Sequence, residues 1–161
     1  MTKKRATAAS WRTRPMPEET AVLPVDGSYS RAEYVQLSMG FIPQSQADKW
    51  FIYLEGEWLN IHRSATGTAV FQLQIVPQDD HYQATQAIVN RNEKQYRSTG
   101  DEYDVQLMSY LIDTLIFGRF APMPMPKGAA KGDNDKYRQH IMGKKDDGAI
   151  SLTDLLNNGH N

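Results

Sequence analysis

Trp50-Phe51-Ile52-Tyr53-Leu54-Glu55-Gly56-Glu57-Trp58-Leu59-Asn60-Ile61-His62 is the stretch that decides the fold class. Its opening residues are aromatic and β-branched, Glu55-Gly56-Glu57 is a tight polar connection, and the residues beyond it are strand-like again, so it reads as a β-hairpin. The turn His62-Arg63-Ser64-Ala65-Thr66-Gly67 then leads into Ala69 to Val76, where Phe71, Leu73 and Ile75 alternate with Gln72 and Gln74. That period of two gives one buried and one wet face. Pro77-Gln78-Asp79-Asp80 supplies the next turn, and Tyr82 to Val89 reads as a fourth strand. Four strands joined by short turns predict an antiparallel meander.

Helices are expected on either side of it. Ser30 with Glu33 has the form of a capping box, Tyr34 and Leu37 share a helical face, and Gly40 stands where a left-handed terminal residue belongs. Pro43 breaks the chain before the strands begin. Thr99 with Glu102 repeats the capping pattern, and Asp101 adds negative charge at the positive end of the helix dipole. Val105, Met108, Leu111, Ile112, Leu115 and Ile116 follow at helical spacing, and Gly118 marks the stop. A sheet and a helix with one apolar face each must bury them together. The expected architecture is therefore α+β, a four-stranded antiparallel meander packed against a C-terminal helix, with a short N-terminal helix and flexible tails. Residues 1–27, with five basic residues, Pro15, Pro17 and Pro24, read as a flexible basic arm, 28–120 as one domain, and 121–161 as a tail. Within that tail, Ile150 to Leu156 reads as a frayed terminus or as a short helix that orders on a partner.

At 161 residues, with 40% hydrophobic and 23% charged content, the composition is that of a globular domain. The absence of cysteine excludes disulfides, thiolate metal ligands and thiol nucleophiles. No apolar signal segment follows Lys3, Lys4 and Arg5, and no apolar run is long enough to span a membrane, so a cytoplasmic location without a membrane partner is expected. A formal net charge of -1 argues against nucleic acid, except for weak phosphate contacts from the basic N-terminal arm.

Candidate chemistry gathers at two places. His62, Arg63, Ser64 and Thr66 put an imidazole, a guanidinium and two hydroxyls in one turn, and Gly67 lets a ligand approach the backbone. Such groups bind anions, although Ser, Thr and Gly also make ordinary hairpin turns. Asn90, Arg91 and Tyr96 lie between the last strand and the second helix, near its unsatisfied N-terminal donors. The meander puts both clusters at one end of the sheet, so Arg63 and Arg91 either converge on a ligand or part, with Arg91 tethered to Asp101, Glu102 or Asp104. His62 has no nucleophile, acidic partner or second metal ligand at a telling spacing, so no catalytic residue, metal or cofactor is assigned.

Asp48-Lys49-Trp50-Phe51-Ile52-Tyr53, His62-Arg63-Ser64-Ala65-Thr66-Gly67, Asn90-Arg91, Gln95-Tyr96 and Asp101-Glu102-Tyr103-Asp104 together resemble a family of small bacterial proteins with the pattern DKWFIY…HRSxTG…NRD…QY…DDEYD. The resemblance covers roughly residues 41 to 117, and departs from the pattern at Ala65, where a tryptophan is expected, and at Gly100, where an acid is. It implies an association with macro domains and hence with ADP-ribose or a related nucleotide. Two functions are in view: a module binding a phosphorylated small molecule through His62, Arg63, Ser64, Thr66, Asn90, Arg91 and Tyr96, or an accessory or inhibitory module whose sheet face or residues 121–161 bind a protein.

Overall fold

The alternation that predicts the meander is realised strand by strand. In the computed structural model, which describes residues 4–124 and the backbone of 150–151, the chain forms β1 (Thr20–Tyr29), α1 (Arg31–Met39), β2 (Trp50–Glu55), β3 (Trp58–Arg63), β4 (Ala69–Pro77) and β5 (Tyr82–Asn90). There follow α2 (Asp101–Leu111), a π-helical turn (Ile112–Ile116) and the two-residue β6 (Ile150–Ser151). The sheet order is β2-β3-β4-β5-β1-β6, antiparallel except for the β1–β6 pair.

Register explains the core. Leu23, Ala87, Leu73, Leu59 and Leu54 stand in one row across five strands, and Ala21, Val89, Phe71, Ile61 and Ile52 in the next. Leu37 of α1 and Val105, Met108, Leu111 and Ile112 from α2 and the turn after it close over this face. Burying each such large side chain contributes about 1.5–3 kcal/mol, so the helix–sheet interface dominates stability. The intervening rows, Val22-Ile88-Gln72-Asn60-Tyr53 and Pro24-Gln86-Gln74-Trp58-Glu55, lie on the other face. There the amides of Gln72 and Gln86 donate to Asn60 Oδ1 (3.0 Å) and Gln74 Oε1 (2.9 Å).

Two expectations are corrected. The antiparallel sheet has five strands rather than four, because residues 20–29, assigned mostly to a flexible arm, form β1 along the full length of β5. Leu23, Val25 and Tyr29 point into the core at alternate positions, and that burial outweighs the weak strand propensity of Pro24, Asp26 and Gly27. Pro24 is tolerated because β1 has one long neighbour and a register shift between Pro24 and Gly27, the places where a missing N–H does least harm. The arm before β1 is ordered too: Ala6 and Trp11 pack with Phe51, Tyr53 and Ile42 on the outer face, and Ala6 N–H donates to Met39 O at 2.9 Å.

The second correction concerns the caps. Ser30 and Glu33 form the reciprocal box at α1, and Gly40 ends that helix at φ 68°. The Thr99–Glu102 box does not form, because α2 starts at Asp101 with Gly100 as its N-cap, which leaves Thr99 one residue too early to reach the first turn's donors. Gly118 adopts φ 66° just past the π-helical turn. The tail expected over 121–161, with its terminal helix, lies outside the described residues apart from 121–124 and the 150–151 strand.

Candidate functional site

Because β3 ends where β4 begins, the polar turn hangs from the sheet end formed by the start of β2 and the end of β5. His62 and Ser64 face inward, whereas Arg63 and Thr66 are exposed. Ser64 Oγ donates to Asp48 O at 2.8 Å and Ser64 N–H to Lys49 O at 2.9 Å, which fastens the turn to the start of β2. Thr66 Oγ1 lies 2.8 Å from Thr68 Oγ1 and accepts from Thr68 N–H. Gly67 N–H donates to Arg63 O at 2.8 Å, closing the turn.

His62 is buried between Phe51 and Tyr53, nearly parallel to the Tyr53 ring at 5.7 Å. Its Nδ1 is 2.9 Å from Gly67 O; a carbonyl only accepts, so the proton sits on Nδ1. Burial holds the imidazole below its ordinary value despite the opposing pull of that hydrogen bond. The residue is a neutral strut.

Gly67 admits something other than a ligand. At φ 79° it presents its open side to the N-terminal segment, and a Cβ there would lie 3.1 Å from Arg12 O and 3.3 Å from the Cα of Thr13. Arg14 N–H donates to Gly67 O at 2.8 Å, and the Trp11 indole donates to Ser64 O at 2.8 Å. The segment is thus a strap. It runs from α1's end, where Arg5 Nε donates to Ser38 O, over the outer face and across the turn to β1.

Arg63 and Arg91 part company. Arg63 is exposed with its guanidinium 5.1 Å from the centre of the Trp50 ring, toward the β2 edge. Arg91, beyond β4, turns to α2 and pairs with Asp101 at 2.6 Å and Asp104 at 2.7 Å. The fully buried Asp104 carboxylate also accepts from the Tyr96 hydroxyl at 2.6 Å and Ser98 Oγ at 2.8 Å. Asn90 donates to Ala69 O at 2.8 Å and Gln95 Oε1 at 2.9 Å, and accepts from Asn92 N–H. Asn90, Arg91 and Tyr96 therefore lock the loop before α2, and burial together with Asp104 pushes the Tyr96 hydroxyl well above the usual phenol range.

What the fold adds is a cluster that neither motif contains. Arg12 and Arg14 on the strap meet the turn at Gly67, Lys49 just before β2 and Arg63 at the end of β3 flank Ser64, and all four side chains are exposed. None of the four forms an ion pair among the described residues. The signal in the sequence was Trp11, a large aromatic in an otherwise polar arm, which requires a surface to pack on. The described residues contain no group of three His, Cys, Asp or Glu side chains placed to hold a metal ion. No protein-family model, curated protein or solved structure matches this chain.

Proposed function

We propose that this protein is a small binding module for a phosphorylated ligand of nucleotide or ADP-ribose type, held at the basic corner where the strap crosses the turn. The observation that carries the reading is that Arg12, Arg14, Lys49 and Arg63 all border one turn, four exposed cations without carboxylate partners among the described residues. Guanidinium groups hold phosphate oxygens bidentately, and Arg63 is already oriented by its stack on Trp50. Of the residues read from the sequence, Arg63 contacts the ligand; His62, Ser64 and Thr66 shape the turn, and Asn90, Arg91 and Tyr96 brace the neighbouring loop. A thermal-shift series with phosphate, ATP, ADP-ribose and an oligonucleotide tests this. A rise in Tm with phosphate-bearing ligands that shrinks in Arg63→Ala supports the reading, and no rise with any of them contradicts it.

A second reading, a protein-interaction module, is favoured by the outer sheet face, where Val22 is 59% exposed beside Ile88 in a row that no helix among the described residues covers. Affinity capture with the full chain and with Val22→Asp separates it from the first: a bound protein lost on substitution supports it, and an unchanged set of bound proteins opposes it.

A further inference from the structure

We infer that the side of β1 turned away from β5 is a docking edge for an extended peptide, and that its occupant is this chain's own C-terminal segment, Ile150-Ser151-Leu152-Thr153, added as a parallel strand.

β1 stands between β5 and β6 in the sheet, and among the described residues Ile150 and Ser151 pair with its outer side, in register with Val25 and Asp26. An open strand edge is a template for pairing with other chains, and proteins guard it with proline, with charge or with a covering segment. β1 carries Pro24 and the exposed Asp26, and β6 begins to cover it at the residue after Pro24, which has no N–H to offer an added strand. Beyond Pro24 the strand runs from Val25 to Tyr29 before α1 starts at Arg31. That window has the length of one short added strand.

The sequence of the occupant is in step with the window. β1 alternates buried and exposed at Val25, Asp26, Gly27 and Ser28, and the segment alternates apolar and polar at Ile150, Ser151, Leu152 and Thr153. Register partners on neighbouring strands belong to the same face of a sheet, so the observed pairing matches an apolar residue to a buried position and a polar residue to an exposed one. A slip by one residue would set Ile150 against Asp26 and reverse every match. Strand addition is selected in this way: main-chain hydrogen bonds hold the peptide, and its alternation fixes which peptide fits.

The occupant belongs to the same chain. Residues 125–149 join Pro124 to Ile150, and a stretch of that length reaches at most roughly 80–90 Å, against a radius of gyration of about 14 Å for a domain of this size. A covalent connection with such reach makes the pairing intramolecular, so at micromolar protein a chain's own segment outcompetes that of a second copy. The edge is thereby closed to other chains.

Disulfide trapping in the full-length protein tests the docking, because the chain has no cysteine of its own. Paired Cα atoms of neighbouring strands lie about 4.8 Å apart, inside the range a disulfide spans, so Asp26→Cys/Ser151→Cys should close within one chain under mild oxidation. Val22→Cys/Ser151→Cys is the control, since the exposed Val22 stands roughly 13 Å along β1 from the register position. The in-register pair should close at least about tenfold faster than the control. Adding Ile150→Asp, which sets a charge in register with the buried Val25, should bring its rate down to the control's. Circular dichroism checks that each variant is folded. Equal rates for the two cysteine pairs, or closure of neither, overturn the docking. Bonds between two chains overturn the assignment of the occupant to the same chain and put a second copy's segment on the edge. A rate unmoved by Ile150→Asp overturns the match of alternation that selects this segment.

Discussion

At the scale of single residues, glycine and histidine carry the sharpest consequences. Gly40 and Gly67 both sit at positive φ, and both are pressed by other backbone. A methyl group at Gly40 would fall well inside contact distance of Ile52 O and 2.8 Å from the Ala6 Cβ, whereas at Gly67 it would meet Arg12 O at 3.1 Å. Gly40→Ala should therefore destabilise more than Gly67→Ala, which itself should cost about 1–2 kcal/mol from its backbone conformation alone. Urea denaturation ranks the two, and the reverse order would contradict the packing of Gly40 against β2. His62 and His81 should titrate on opposite sides of the ordinary histidine value of about 6.5. Burial lowers the first, and the exposed hydrogen bond to Asp80 raises the second. For His62 the unfolded chain takes up its proton first as pH falls, so its share of stability is present above about 6.5 and declines below it until the folded imidazole also protonates. His81 acts with the opposite sign. NMR titration of the two imidazoles checks both directions, and His62→Gln should flatten the acid-side loss.

At the scale of elements, the meander was legible in the sequence and the strand before it was not. Phe71, Leu73 and Ile75 alternate without interruption, so β4 could be read directly. In β1 the same alternation of Leu23, Val25 and Tyr29 is masked by Pro24, Asp26 and Gly27, and its hydrogen-bonding partner, β5, lies more than fifty residues downstream. Local propensity carries no information about such a partner. The loop before α2 was legible in part, since a tether of Arg91 to Asp101 or Asp104 could be read from the sequence, but the spacing of Asn90, Arg91 and Tyr96 says nothing of the burial of the carboxylate that claims two of them. Asp104 is fully buried, so Arg91→Ala should cost about 2–4 kcal/mol by stranding it, and Arg91→Lys should recover part of that. Chemical denaturation reads both; a loss under about 0.5 kcal/mol for Arg91→Ala would mean that the pair is a surface bridge. The strap is held by the Trp11 indole, so Trp11→Ala should speed tryptic cleavage after Arg12 several-fold while β1–β5 stay intact. Cleavage at the parent rate would show that Trp11 does not anchor it.

At the scale of the molecule, one end of the sheet was foreseen as the place where polar groups gather, and the partnership there was not. The sequence separates Arg12 and Arg14 from Arg63 by some fifty residues, and the spacing within either motif gives no sign that the fold joins them. The strap joins them by filling the space over Gly67 that a sequence reading reserves for a ligand. The corner's composition, and with it the anion-binding reading, depends on that docking. The most direct test is amide hydrogen exchange on the full chain, followed by NMR. If the strap is docked, the amides of Ala6 and Arg14, which donate to Met39 O and Gly67 O, exchange far more slowly than in an unstructured peptide of the same sequence. Exchange of both at the peptide rate, with the strand amides still protected, would mean that the N-terminal segment is a free arm and that the basic corner does not exist.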